Sequence, residues 1–485
     1  MPSIIKRTLC AVVLAGCLLT TATTWAGPYQ TTGIKVGEVS DTSAIVWTRL
    51  TLRDARNPDD APFVTFLRPP GANQKNRRGP IVGVEYPEGV TVADIRHAVP
   101  GIAGEIRVLY RPAGRVEWSE TDWTAVDAGR DFIHQFTLTK LDPNTRHELS
   151  VESRGTDGQK GETVAGRFRT APAPDDPAQV MFTVSTGQNA RDNDRPDGFE
   201  IYPSMLKLDP SFFVHTGDII YYDREAKTID LARYHWQRTY SYPTNVNFHN
   251  NVASYFIKDD HDTWTNDCWP TMKTKSMYQF TFKQGLGVFR EQVPMGEQTY
   301  RTQRWGKDLQ VWFVEGRDFR SPNNAPDGPD KTIWGPEQKE WFTRTVRASD
   351  AAFRILISPT PVVGPDRDSK HDNHSNKDFT HEGDWLRAFL ASQKNMAVVC
   401  GDRHWQYMSI HPQTGVREYS CGPASDKHAG GWQQSDFRQD YHRFLKVKGG
   451  FLSATVARVE NKPTLSFKYH GVDGKVRYED VLTAE

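Results

Sequence analysis

Between Ala178 and Trp405 one local pattern keeps returning: a short apolar run that stops abruptly at a polar cluster. The segments read "QVMFTVSTGQN", "SFFVHTGDIIYYD", "NVASYFIKDDHD", "LQVWFVEGRD", "FRILISPTPVV" and "MAVVCGDRH". Runs this short, apolar on both faces, fit central strands of an α/β domain better than half-exposed edge strands. Amphipathic stretches lie between them, and the spacing predicts helices over Gly335–Ser349 and Gly383–Lys394. In open α/β sheets ligands bind beyond the carboxyl ends of the strands. The polar clusters fall at those ends.

The flanks follow a different rhythm. From residue 27 to about 170 the chain alternates polar and apolar, as in "IKVGEVSDTSAIVWTRL", "GEIRVLYRP", "FIHQFTLTKL" and "HELSVESRG", which predicts an all-β domain. "LTKLDPNTRHELSVES" resembles the strand corner of an immunoglobulin/fibronectin III-like sandwich. A basic loop, "RPPGANQKNRRGP", interrupts it, and the Pro-rich residues 171–178 read as a linker to a second domain over 179–485. From Gly450 alternation resumes, with turns at Asn461–Pro463 and Asp473–Gly474, predicting antiparallel strands added to the second domain. A chain of 485 residues accommodates two or three domains.

Charge and cysteine content exclude several classes. Lys plus Arg and Asp plus Glu balance at 60 each, so no polyanion-binding surface and no nucleic-acid partner is expected. Residues 1–26 read as a secretory signal peptide: Lys6 and Arg7, an apolar stretch from Leu9 to Leu19, then small residues to Ala26. "LAGC" (Leu14 to Cys17) also resembles a lipoprotein box, the one route here to a membrane, although the residues after it stay apolar. Both readings place the protein outside the cytoplasm, secreted or periplasmic. Beyond the leader only Cys268, Cys400 and Cys421 remain, enough for one disulfide but no disulfide scaffold.

Three of the clusters carry chemistry. "HTGDIIYYD" sets Asp218 on a Gly turn with Tyr221 three residues on; a carboxylate there can bridge two cations, and a phenolate suits a hard trivalent ion. "KDDHD" flanks His261 with acids, and a His can ligate a metal or act as general acid. "VVCGDRH" repeats the turn with Asp402 and His404 two residues apart. Each alone is ordinary; together, at three strand ends, they are an oxygen- and nitrogen-rich donor set without thiolates. Such a set fits Fe, Mn, Zn, Mg or Ca.

With "VSDTSAIVWTRL", "VEGRDFRSP" and these three motifs in order, the chain resembles metallophosphoesterases of the alkaline phosphatase D type, relatives of purple acid phosphatases. The resemblance implies an N-terminal sandwich followed by a metallophosphoesterase domain with a β-sandwich core flanked by helices. It implies a secreted hydrolase of phosphomonoesters or phosphodiesters, working by attack of metal-bound hydroxide and suited to phosphate scavenging. Asp218 would bridge two or more metal ions, such as Fe(III) with Ca, or Mn, Zn or Mg. Tyr221, Asp260, Asp402 and His404 would be further ligands, His261 the acid for the leaving group, and Arg317 a contact to substrate phosphate or else a structural ion pair. Two alternatives stay open: a phospholipase-like phosphodiesterase releasing lipid headgroups, and a catalytically altered extracellular binding protein. The first motif departs from the family, which usually supplies a Cys, or in relatives an Asp, where this chain has Gly187. Gln188, Asn189, Asp192 or Asp194 are the substitutes in reach, and His371, His374 and His381 the candidates for a remaining ligand.

Overall fold

The computed structural model describes residues 27–73 and 79–485. The segment expected to be a secretory leader, with Cys17, and part of the basic loop therefore lie outside the described residues.

Alternation in the N-terminal part produces antiparallel strands, as expected for side chains that face core and solvent in turn. Ile34–Gly37, Ser43–Arg49 and Ile133–Thr139 form one sheet; Glu105–Pro112, Arg146–Arg154 and Lys160–Arg169, with two short strands, form another. Val36, Val46 and Leu138 of the first sheet join Val108, Leu149 and Val151 of the second in one buried cluster. The same cluster continues into the following residues through Val184, Val214 and Tyr255. Polar contacts tie the parts together as well. Trp47 Nε1 donates to the Glu291 carbonyl at 2.9 Å, and Arg301 pairs with Glu38 at 2.6 Å. The Pro-rich stretch after Thr170 is fastened rather than free: Gly306 N–H donates to Pro172 O and Lys307 N–H to Asp176 O.

The apolar runs become the strands of two larger sheets. Six strands run in the order Ser254–Phe256, Phe212–His215, Val180–Ser185, Gly450–Val459, Lys462–Gly471, Val476–Thr483, the first three parallel and the last three antiparallel. Seven run in the order Arg301–Trp305, Leu309–Phe313, Phe353–Ser358, Met396–Cys400, Arg417–Cys421, Gln406–Ile410, His442–Lys446. Four of these, from Leu309–Phe313 to Arg417–Cys421, are mutually parallel. Leu452, Phe467 and Tyr469 from one sheet and Ile355, Val399 and Tyr419 from the other share the same buried cluster.

The two expected helices form at Gly335–Ala348 and Thr380–Ala391, and the C-terminal alternation gives the expected antiparallel strands. Helices at Ile229–Tyr240 and Phe282–Gln292 were not expected; the second carries a full Thr281/Gln284 capping box. Cys268, Cys400 and Cys421 are buried and free, so no disulfide is made among the described residues. Among the described residues no helix is long and apolar enough to cross a membrane.

Candidate active site

The site is built at strand ends, and its turns depend on glycine. Gly217 follows strand Phe212–His215 with φ +102°, and a Cβ there would lie 2.8 Å from the Asp259 nitrogen and 2.7 Å from its Cβ. Only a residue without a side chain lets the two loops approach so closely. Asp218 comes next with φ 55°, and Asp402, after Gly401, repeats the left-handed conformation at φ 62°. Non-glycine residues held there cost on the order of 1–3 kcal/mol, a strain that concentrates at functional sites.

The loop after strand Ser254–Phe256 is entirely buried from Lys258 to Thr263. Asp262 points backward: its carboxylate accepts the N–H groups of Asp218 (3.2 Å), Ile219 (3.3 Å) and Asp259 (2.8 Å). Burial and the nearby Asp218 push its carboxyl up to about 8. Asp259 accepts from Arg317 Nε at 2.6 Å. Asp260 accepts the N–H of His261 at 2.8 Å, and its other oxygen accepts that of Asp267 at 2.5 Å. Burial pushes the Asp260 carboxyl up, yet the charges of His261, Arg317 and Lys370 win and hold it below the ordinary range. Nδ1 of His261 lies 3.1 Å from Asp223 Oδ1. Burial works against a charged imidazole there, but Asp223, Asp260 and Asp218 outweigh it and raise the His261 pKa well above its usual value.

Two donor groups meet at Asp218. On one side Asp218, Asp260 and His261 each bring a ligand atom within 4.8 Å of the others, all three buried. On the other, Asp218 Oδ2 lies 3.1 Å from His404 Nε2 and 3.3 Å from the Tyr221 hydroxyl, itself 3.3 Å from His404 Nε2. Asp218 Oδ1 is buried and accepts no hydrogen bond. An orphaned carboxylate oxygen between two donor groups fits a cation. Burial raises the Asp218 carboxyl to about 6, Asp260 adding to the shift, and lowers His404 to about 3, so that imidazole stays neutral as a ligand must be.

The remaining candidates divide. Asp402 Oδ2 sits 2.5 Å from Arg403 Nη2, which also pairs with Asp366 at 2.8 Å. Burial pushes Asp402 up to about 7. Arg317 is 0% exposed and enclosed by Asp259, Asp260 and Asp372, the geometry of the structural ion pair rather than of a phosphate contact. The side chains of the first-motif substitutes are engaged with other partners, Asp192 with His428. Gln188 accepts from Tyr202 and Asn245, Asn189 donates to Asp192 (2.7 Å), and Asp194 accepts the Glu200 N–H (2.8 Å). The histidines of the later loop are engaged elsewhere: His371 with Asp378, His374 with Glu382 at 3.1 Å, and His381, exposed, through its backbone with Asp327.

Sequence reasoning missed two groups. Asp223, behind His261, lies on the short helix Tyr222–Glu225, where an acid in the first turn is unremarkable. His428 ends a 3₁₀ turn at Asp426–His428, and its Nε2 lies 2.5 Å from the Tyr221 hydroxyl. No apolar run announces it.

The PhoD-like phosphatase family profile matches residues 182–472, a span that holds every one of these groups. Among solved structures the chain is similar to PhoD, with a TM-score of 0.70 at 15% identity over 94% of this chain and 91% of that one. It is also similar to the purple acid phosphatase PPD1 of yellow lupin (Lupinus luteus) seeds, with a TM-score of 0.63 at 12% identity over 93% and 74%. At such identities the likeness speaks for the fold. Comparison with curated protein sequences gave no match. With acids and imidazoles from both sheets gathered around Asp218 inside the matched span, the chain belongs to the PhoD-like phosphatase family, metal-dependent phosphoester hydrolases.

Proposed function

We propose that the protein is an exported hydrolase of phosphomonoesters or phosphodiesters whose centre holds two metal ions through Asp218, Tyr221, Asp260 and His404, with Asp402 beside them. The observation that carries the reading is the sharing of Asp218 between Asp260 on one side and His404 with Tyr221 on the other, His261 standing beside Asp260 as the proton donor. One carboxylate serving both sides is what a pair of cations about 3.5–4 Å apart requires. Ions bound there would supply an acidified water and neutralise phosphoryl oxygens.

The other tasks fall to side chains. His261, oriented by Asp223 through Nδ1, delivers the proton to the departing alkoxide. Asp262 and Arg317 hold the acidic loop in register with Asp218. Arg224, its guanidinium carbon 5.3 Å from the Tyr221 ring centroid, and Arg367, equally far from the Trp405 ring, are half-buried and flank the two motifs; they are the cations we assign to the substrate phosphate.

Metal quantification joined to turnover of p-nitrophenyl phosphate and bis(p-nitrophenyl) phosphate tests this reading. About two ions per chain are expected, with activity lost on chelation and restored on adding metal. His261→Ala should lower kcat by about 10²-fold or more while keeping the metal content. A metal-free enzyme with full activity, or unchanged turnover in that variant, overturns it.

A further inference from the structure

Position 187 carries no side chain, and the space a side chain would take is already filled. Gly187 has φ +52°, and a Cβ built there would lie 2.9 Å from His404 Cδ2 and 3.2 Å from His428 Cδ2. His428 arrives on a loop from the other sheet. The loop is fastened over the first motif by a parallel bridge between Thr186 and Pro423, and by the Ala424 N–H, which donates to Gly187 O at 3.1 Å. Ser425 Oγ donates to Asp192 O at 2.6 Å, and Lys427 Nζ to Asn193 O at 2.6 Å.

This loop fixes the imidazole in one orientation. His428 Nδ1 lies 2.7 Å from Asp192 Oδ2, and Asn189 Nδ2 donates to the same oxygen at 2.7 Å. An ionised carboxylate only accepts, so Nδ1 carries the hydrogen and the Nε2 lone pair faces the site. There it meets the Tyr221 hydroxyl at 2.5 Å, and its ring stands 4.2 Å from that of His404, centroid to centroid. Asp218 Oδ2, Tyr221 Oη, His404 Nε2 and His428 Nε2 are then linked by contacts of 3.1, 3.3, 3.3 and 2.5 Å. Only the phenol and one His404 nitrogen can contribute hydrogens, so at most two protons serve these contacts among lone-pair-bearing atoms. A cation in place of the phenol proton satisfies all four atoms.

We infer that His428 is a metal ligand that takes over the place left by Gly187, with Asp192 holding its ring in the ligating tautomer. A carboxylate behind a ligating imidazole is the usual arrangement, and its loss typically weakens binding 10–100-fold. The inference rests on the metal-centre reading above and deepens it, giving one ion a set of one carboxylate, one phenolate and two imidazoles without a thiolate.

Titration of the metal-depleted protein with Co(II), followed by visible absorption and by metal content after gel filtration, tests it. His428→Ala should lose one of the two ions, or bind it at least about 10-fold more weakly, and Asp192→Asn should weaken the same ion about 10–100-fold. The swap Gly187→Cys with His428→Gly should regain that ion and add a thiolate-to-metal absorption band that the unmodified protein lacks. Circular dichroism checks that each variant folds. If the unmodified protein binds no metal, the metal centre itself fails. If it binds two ions and His428→Ala binds two with equal affinity, only the role of His428 is overturned.

Discussion

Arg317 shows how much of the site's charge exists to hold the site. Its guanidinium is fully enclosed, 2.6 Å from Asp259, 3.6 Å from Asp372 and 4.0 Å from Asp260. Removing one partner of a buried pair leaves an uncompensated charge and costs about 3–5 kcal/mol. Arg317→Met should therefore lower the unfolding free energy from a urea titration by that much, whereas loss of a mere phosphate contact would raise KM and leave stability alone. Asp218, Asp260, His261, Asp402 and His404 stand out in the sequence because each lies within a few residues of the end of an apolar run. His428 does not: it stands seven residues beyond Cys421, and "REYSC" has too few apolar side chains to read as a buried strand. Gly187 was noticed as a gap, but a sequence does not say what fills one.

Among the elements, helix Phe282–Gln292 presses directly on the acidic loop. Gly285 makes the contact possible: a Cβ there would fall 1.8 Å from the Thr263 carbonyl oxygen. In an exposed helix Gly→Ala gains about 1 kcal/mol. Here the sign should reverse, with Gly285→Ala destabilising by about 1–3 kcal/mol through overpacking. Thermal unfolding decides it, and a rise in the midpoint would contradict the packing. The helix escaped sequence reading because its inner face is half polar: Gly285, Glu291 and Gln292 are buried beside Val288 and Phe289. Gly335–Ala348 was legible because its inward residues Phe342 and Val346 stand four apart, one helical turn. The parallel strands were legible by the same kind of regularity, being apolar on both faces.

On the scale of the whole molecule, buried titratable groups set the acid limit. Burial holds His215, at the end of a central strand, down at about 3, against about 6.5 in an unfolded chain. Between those values the unfolded state binds more protons, so stability is full above about pH 6.5 and falls as pH drops towards 3, by about 2 kcal/mol at pH 5. His215→Gln should shrink the difference between urea midpoints at pH 7 and pH 5; an unchanged difference would remove His215 from the account.

The bridge between Thr186 and Pro423 joins the two large sheets where the donors meet. Asp218 and His404 are 186 residues apart in the chain, Tyr221 and His428 207. Contacts closed over such distances form slowly, after the loop-closure entropy has been met. An ion held by all four of these residues is therefore held only once both contacts have closed. Occupancy becomes a mark of maturity, and the rate at which fresh chains take up metal is capped by the rate at which they complete their folding.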